Sequence, residues 1–259
     1  YRYAVPASSV IQQLRLTPRG NDGQFIRKWR VEIDADCRLE KGEDAFGNII
    51  HTFTADGPVA ELKVTVDGDV ETTDTHGVVR GALERFPVPF WLRDTRLTHA
   101  GPEIAEFIND LAAGEGGDAL ATLHALNMAL FSSMGFSIGT TDTGTTAACA
   151  FAARAGVCQD FAHVFIAACR TIGIPARYIG GYYLRTDTHE QEAGHAWVEA
   201  YVAGVGWIGF DPAHGVSVTD RYVRVACGLD YLDAAPIRGA RIGGAGETLG
   251  VEVHVRQGP

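Results

Sequence analysis

The sequence predicts an α+β protein in which a small all-β domain precedes a domain of helices and antiparallel strands. Polar and apolar residues alternate strictly over Lys28–Asp34 and Glu61–Asp67, which indicates strands with one buried face. Apolar residues then recur at helical spacing between residues 102 and 172, and alternating patterns return after residue 194. Because a group of helices is followed by a group of strands, the α+β class is favoured over an alternating α/β class.

Three regions follow from these patterns. Residues 1–72 are predicted to form a sandwich-like β domain, with turn signals at Gly47-Asn48 and Asp67-Gly68 between its strands. Residues 73–100 contain several prolines and are predicted to be a connector. Residues 101–259 are predicted to form the catalytic core, including strands that return near the C-terminus. These returning strands are expected at Tyr222–Ala226 and Gly250–Val255.

Four helices are predicted within the core. Pro102 suits a first helical turn, and the glycines from Gly114 onward end that helix. Gly173 and Pro175 end the fourth helix in the same way. The predicted helices span residues 102–113, 118–132, 147–153 and 158–172.

Cys158 is predicted to begin the fourth helix, directly after a glycine turn. Unpaired backbone N–H groups and the helix dipole favour an anion there, and a thiolate is the nucleophilic form of cysteine. The alternative is a small buried hydrophobic residue, which suits Cys169 inside the same helix better. The other cysteines show no spacing to a base or metal ligand and are predicted to be structural. They are Cys37, Cys149 and Cys227.

His195 and Asp211 lie on two segments that are predicted to form an antiparallel hairpin. A hairpin centred on Ala203 places Asp211 opposite His195, with Cβ atoms about 5 Å apart. The carboxylate could then accept the imidazole N–H and stabilise an imidazolium. Taken singly, a buried core histidine and a turn cap before Pro212 are equally good explanations. Taken with Cys158, they predict a thiol nucleophile with an oriented base.

These segments resemble the transglutaminase-like superfamily, specifically bacterial transglutaminase-like proteins of the cysteine protease type. The resemblance implies a papain-like or transglutaminase-like core in which the nucleophile helix packs on an antiparallel sheet, after a bacterial transglutaminase-like N-terminal domain. It also implies that Cys158 is the nucleophile, His195 the general base and acid, and Asp211 the residue that orients the histidine. The motifs that carry it are Gly156–His163, Gly173–Tyr178, His195–Trp197, Trp207–Pro212, Leu14–Arg19, Asp44–Asn48 and Arg224–Tyr231.

The sequence departs from that family pattern at two positions. Leu229 stands where an arginine is expected, and His214 stands where a small polar residue is commoner. The chain also lacks room for the C-terminal β domains of animal transglutaminases and has no aspartate-rich calcium loop. Calcium dependence and protein cross-linking are therefore not carried over.

The predicted activity is cysteine-dependent acyl transfer on an amide, either peptide or isopeptide, through a thioester, with hydrolysis favoured over cross-linking. One alternative is an acyl transferase like the arylamine N-acetyltransferases, which the preceding β domain disfavours. The other is a non-catalytic peptide-binding module that keeps the fold. The backbone N–H of Cys158 is the expected first oxyanion donor. The second donor could be Tyr182 or Trp91.

No cofactor or metal is expected, because His189, Glu190 and Glu192 before His195 lack ligand spacing. The 259 residues carry a formal charge of −10, which disfavours nucleic acid and anionic membranes as partners. The expected partner is a peptide or amide substrate, and the sequence leaves the oligomeric state open. Five cysteines without paired spacing suit a reducing compartment, so a cytoplasmic location is expected.

Overall fold

The N-terminal region forms two antiparallel sheets around one apolar core. The computed structural model describes residues 1–186, 190–191 and 193–258. The N-terminal strands are β1 (Arg2–Thr17), β2 (Gln24–Ile33), β3 (Glu40–Glu43), β4 (Ile49–Glu61) and β5 (Val64–Thr72). β1, β4 and β3 belong to one sheet, while β2 and β5 form a second, two-stranded antiparallel sheet. Leu14 and Phe53 are buried in the core, and Val31 of the second sheet packs on it. The predicted sandwich-like domain is therefore confirmed.

The connector crosses to the second domain and contributes to it. It contains β6 (Val78–Val79) and a 3₁₀ helix (Val88–Leu92). The short strand β6 pairs with Trp207 and Ile208 of the core sheet. Trp91 of the 3₁₀ helix is buried, so this segment is part of the packed structure rather than a free linker.

The four predicted core helices are confirmed, with bounds that agree to within one or two residues. Asp118 caps the second helix by accepting the N–H groups of Leu120 and Ala121. Gly173 has a φ of 76° directly after the fourth helix, a conformation that favours glycine at a helix end. The helices are α1 (Pro102–Gly114), α2 (Ala119–Ser133), α3 (Ala147–Ala153), α4 (Cys158–Thr171) and a short α5 (Tyr231–Ala234).

An antiparallel sheet covers one side of α4. Its strands are β9 (Ala176–Tyr183), β11 (His195–Val202), β12 (Gly206–Asp211), β13 (Val216–Ser217) and β14 (Tyr222–Gly228), in the order β13-β12-β11-β9-β14. Phe165 of α4 packs with Val198 and Phe210 on the helix-facing side of this sheet. Trp197 and Trp207 are buried in a second cluster on the opposite side. Two short pairs complete the core: β7 (Gly135–Phe136) with β8 (Ala155–Gly156), and β10 (Glu190–Gln191) with β17 (Val253–His254).

The chain after the core returns to the N-terminal domain. Two further strands, β15 (Ile237–Gly243) and β16 (Glu247–Thr248), pair antiparallel with β1. This differs from the expectation that residues 101–259 belong to the core throughout. The predicted strand near Tyr222 does join the core sheet, as β14, because its Cys227 pairs with Ile179 of β9. No helix among the described residues is long and apolar enough to span a membrane.

Candidate active site

Cys158 is the first residue of α4 and is half-buried at the helix N-terminus. The preceding turn is tightly held, because the Asp160 carboxylate accepts the N–H of Val157 at 2.8 Å and the hydroxyl of Thr141 at 2.6 Å. A Cβ on Gly156 would lie 2.6 Å from the Asp160 carboxylate oxygen, so glycine is required there. Burial raises the pKa of Asp160, although these hydrogen bonds oppose the rise. Asp160 therefore fixes the turn that presents the thiol.

His195 begins β11 and lies between Asp211 and Cys158. Its Nε2 lies 2.6 Å from Asp211 Oδ2. Nδ1 is therefore the ring nitrogen that remains for the Cys158 thiol, which interacts with the ring closely enough to raise its pKa. Burial lowers the pKa of His195, but Asp211 and Cys158 outweigh it and raise the pKa to about 10. The imidazolium form is thus stabilised between a carboxylate and a thiol.

Asp211 ends β12 and is completely buried. Its Oδ2 accepts three hydrogen bonds, from His195 Nε2 at 2.6 Å, from His214 Nδ1 at 2.7 Å and from the Tyr222 hydroxyl at 2.7 Å. The N–H of Ala213 donates to Oδ1 at 3.1 Å. Burial alone would raise the pKa of Asp211, but the His195 and His214 hydrogen bonds hold it below its usual range. The carboxylate is therefore anionic and fixed in orientation.

The hairpin that joins these two residues has a different register from the predicted one. Val198 pairs with Phe210 and Val202 with Gly206, which centres the turn on Gly204 rather than Ala203. The predicted pairing of Asp211 directly opposite His195 is therefore wrong, and continuation of the observed register puts Asp211 opposite Trp197. Because the shift is two residues, both side chains keep the same face and meet along the diagonal.

His214 and Tyr222 are site residues whose role sequence reasoning missed. His214 lies in the turn after β12, three residues from Asp211, and Tyr222 begins β14 on the far side of β9. The spacing Asp-x-x-His in a predicted turn was an available signal for His214. No comparable signal existed for Tyr222, because its contact depends on the order of strands in the sheet.

Comparisons with known proteins agree with this architecture. The profile of the transglutaminase-like superfamily matches residues 105–212, and that of the bacterial transglutaminase-like N-terminal region matches residues 1–71. An uncharacterized protein of Mycobacterium leprae is 30% identical across 98% of this chain and 95% of its own length. The chain belongs to the transglutaminase-like superfamily.

Two further similar proteins show how far the likeness extends. An uncharacterized protein of Mycobacterium tuberculosis is 29% identical over 92% of this chain and 84% of its own. The crystal structure of a candidate cysteine protease from Cytophaga hutchinsonii superimposes with a TM-score of 0.72 at 22% identity, over 92% of this chain and 84% of that one. At that identity the structural likeness establishes a shared fold.

Within this transglutaminase-like core, the two candidates for a second oxyanion donor lie in different places. The carbonyl of Trp91 accepts from Arg170, which lies twelve residues beyond Cys158 in α4, or about 18 Å along the helix. Trp91 is therefore too far from the thiol. Tyr182 packs on the same core cluster as Cys158. Burial raises the pKa of Tyr182 to about 12, so its hydroxyl keeps a proton to donate.

The spacing of the site also resembles a metal site. Within the described part of the chain, donor atoms of His195, Asp211 and His214 lie within 4.8 Å of one another. Hydrogen bonds to Asp211 account for that spacing, since His195 Nε2 and His214 Nδ1 are both bonded to the carboxylate. The other weighed candidates, His189 and Glu192, lie outside the described residues, as does the side chain of Glu190.

The remaining cysteines differ from Cys158 in their surroundings. Cys169 is fully buried inside α4 and Cys227 is buried beside the N-terminal domain, where burial and packing suit structural roles. Cys37 is half-buried, and burial raises its pKa. Cys149 is exposed on α3, which differs from the expectation of a structural residue. It therefore provides an accessible reference thiol in the same molecule.

Proposed function

We propose that this protein is a cysteine-dependent enzyme that cleaves an amide bond, peptide or isopeptide, through a thioester intermediate. The observation that carries the proposal is the arrangement of three residues: His195 is hydrogen-bonded to the buried carboxylate of Asp211, and Cys158 is near enough to His195 to raise its pKa. A thiol at a helix N-terminus thus faces an imidazolium whose other nitrogen is held by an anion. This is the arrangement that nucleophilic catalysis by cysteine requires.

The reaction follows from the positions of these atoms. The thiolate of Cys158 attacks the carbonyl carbon, and the oxyanion is met by the Cys158 backbone N–H and the Tyr182 hydroxyl. The imidazolium of His195 gives its Nδ1 proton to the leaving nitrogen as the C–N bond breaks, which leaves a thioester. His195 then takes a proton from water, water attacks the thioester carbon, and the C–S bond breaks.

Hydrolysis is the proposed outcome because it requires no binding site for a second substrate. An amine in place of water would give transamidation by the same steps. Incubation with an acyl donor and a fluorescent primary amine separates the two outcomes, because only transamidation attaches the amine covalently. We expect mainly free acid, and predominant amine incorporation would instead assign a transglutaminase reaction.

The first prediction is a burst of acylation at Cys158. With an activated ester such as p-nitrophenyl acetate, we expect about one equivalent of nitrophenol per protein before steady turnover. Cys158→Ala should abolish both the burst and the acylation of the peptide that contains residue 158. The matched variant Cys149→Ala, which removes an exposed thiol, should retain both. Stopped-flow absorbance with peptide mass mapping measures this. A full burst in Cys158→Ala would exclude Cys158 as the nucleophile.

We also propose that the protein acts in a reducing compartment, the cytoplasm. All five cysteines are free thiols, including the exposed Cys149. Differential alkylation of intact cells before and after reduction tests this, since a thiol in an oxidising compartment would be found partly blocked.

A further inference from the structure

A second histidine, His214, is hydrogen-bonded to the same Asp211 carboxylate that orients His195. His214 Nδ1 lies 2.7 Å from Asp211 Oδ2, the same oxygen that accepts from His195 at 2.6 Å and from Tyr222 at 2.7 Å. Three donors therefore share one oxygen. Because each donor disperses part of the same negative charge, a bond to one donor weakens the attraction available to the others.

His214 is placed between this carboxylate and solvent. Its side chain is 38% exposed, whereas that of Asp211 is 0% exposed. Its ring centroid lies 5.0 Å from that of His195 and 4.8 Å from that of Tyr183. The ring is thus packed into the wall of the site and covers Asp211, while its outer edge reaches the surface.

We propose that His214 is a positioning residue that loosens the hold of Asp211 on the His195 imidazolium, and thereby sets the upper pH limit of the reactive Cys158–His195 pair. His214 makes the observed bond through its Nδ1, toward the shared Asp211 oxygen. The inference rests on the proposed function only in treating Cys158 as a nucleophile and His195 as its proton-transfer partner. It does not depend on which amide is cleaved.

The other groups around His195 fit this role. Burial, and then the charge of Asp211, raise the pKa of the Tyr222 hydroxyl, so that it remains a protonated donor to the carboxylate. The pKa of His195 is raised to about 10, so the limit set by loss of its proton lies on the alkaline side. The titratable groups that face His195 are Cys158 from α4, Tyr183 from β9, Asp211 from β12, His214 from the following turn and Tyr222 from β14.

Two substitutions separate the hydrogen bond from the ring. His214→Phe keeps a planar ring against Tyr183 but removes the donor to Asp211. His214→Asn keeps an N–H donor near the position of Nδ1 but removes the ring. If His214 acts only by packing, the titration of His195 should change more in His214→Asn than in His214→Phe. If His214 acts through Asp211, the titration should change more in His214→Phe.

The charge on His195 can be measured without a substrate. Iodoacetate is an anion and is attracted to an imidazolium beside the thiolate, whereas iodoacetamide is neutral. The ratio of their rate constants at Cys158 therefore falls where His195 loses its proton. Peptide mapping separates Cys158 from Cys149, which serves as the internal reference, and thermal melts show that each variant is folded.

We expect the midpoint of that fall to move upward by about half to one pH unit in His214→Phe, because Asp211 then acts more fully on His195. In His214→Asn it should stay near the wild-type midpoint. An unchanged midpoint in His214→Phe, or an equal shift in both variants, would overturn the inference. Absence of amide turnover with the predicted shift present would instead reject the proposed function and leave the inference standing.

Discussion

At the scale of single residues, the site is organised around the carboxylate of Asp211. It is buried and anionic, and it accepts four hydrogen bonds. Such a group is costly to bury unless its acceptor sites are filled. The same bonds that offset this cost also fix the ring of His195, so the stability of the site and the orientation of the proposed base have one source.

Removal of that charge should uncouple His195 from Cys158. Asp211→Asn keeps the volume but not the anion, so the pKa of His195 should fall from about 10 toward its usual value of 6.5. The imidazolium would then be lost at a lower pH, and acylation at Cys158 should slow by about 10³-fold or more. The iodoacetate-to-iodoacetamide ratio and burst kinetics measure both effects. A ratio that still falls at the wild-type pH would show that Asp211 does not stabilise the imidazolium.

The sequence was sufficient to identify Cys158, His195 and Asp211 as candidates, and the structure brings all three together. Their positions at a helix start and at two strand ends could be predicted, because helix and strand ends are determined mainly by nearby residues in the chain. His214 and Tyr222 were missed as donors because their role depends on a shared oxygen. Tyr222 on β14 contacts Asp211 on β12 across the two strands between them, β9 and β11, and local sequence patterns do not predict the order of strands in a sheet.

At the scale of elements, α4 carries both the proposed nucleophile, Cys158, and a buried histidine that serves packing. His163 is completely buried and accepts the N–H of Tyr231 through Nε2 at 3.1 Å, and its ring packs on Tyr178. Burial, followed by the charge of Arg170, lowers the pKa of His163 to about 3. The helix is therefore folded around a neutral imidazole.

His163 should make the protein labile to acid. Since its pKa is about 3 in the folded state and 6.5 in its usual state, the unfolded chain binds the extra proton between these values. Stability should thus fall with decreasing pH across that window, by up to about 1.4 kcal/mol per pH unit. His163→Gln retains an acceptor for Tyr231 and should flatten this part of the profile. Denaturant unfolding across this pH window measures the difference, and identical slopes for the two proteins would contradict the prediction.

The core helices were predictable because each has its own start and stop signals, such as Asp118 and Gly173. The β11–β12 hairpin was predictable as an element but not in its register. A turn built on Ala203-Gly204-Val205 offers more than one centre, and the local sequence does not choose among them. The observed register is centred on Gly204. Side-chain packing on α4, which no turn signal records, accounts for that choice.

At the scale of the whole molecule, a buried ionic network ties the core sheet to the connector. Glu199 on β11 is bonded to Arg177 on β9 at 2.6 Å and to Arg224 on β14 at 2.8 Å. Arg177 also reaches Glu84 in the connector at 2.8 Å and stacks on Trp207. Burial would raise the pKa of Glu199, but Arg224 and Arg177 hold it below its usual value.

Breaking this network should destabilise the molecule. Glu199→Gln leaves the buried guanidinium of Arg177 and the partly buried one of Arg224 without their shared anion, which should cost about 3 kcal/mol or more. The matched control is Glu61→Gln, which removes an exposed partner of Arg2 and should change stability by less than about 1 kcal/mol. Urea unfolding of both variants measures the contrast. Equal effects of the two substitutions would show that the buried network contributes no more than a surface pair.

The pairing of the C-terminal strands with β1 could not be predicted from the sequence. Leu14 pairs with Ile237, and the stretch of chain between them includes the core helices and the whole sheet that covers α4. Alternation indicates that a strand exists and which face is buried, but it does not indicate the partner. From the sequence, no strand was predicted at β15 or β16, and residues 101–259 were assigned as a whole to the core.

This pairing also has a consequence for how the protein is made. On a ribosome, β1 emerges long before β15 and β16, so one of its edges stays open while the core is synthesised. An open edge of this kind can pair with another chain. The residues of the proposed triad and Tyr222 all precede residue 237, so the candidate active site can assemble on a nascent chain whose first sheet is still unfinished.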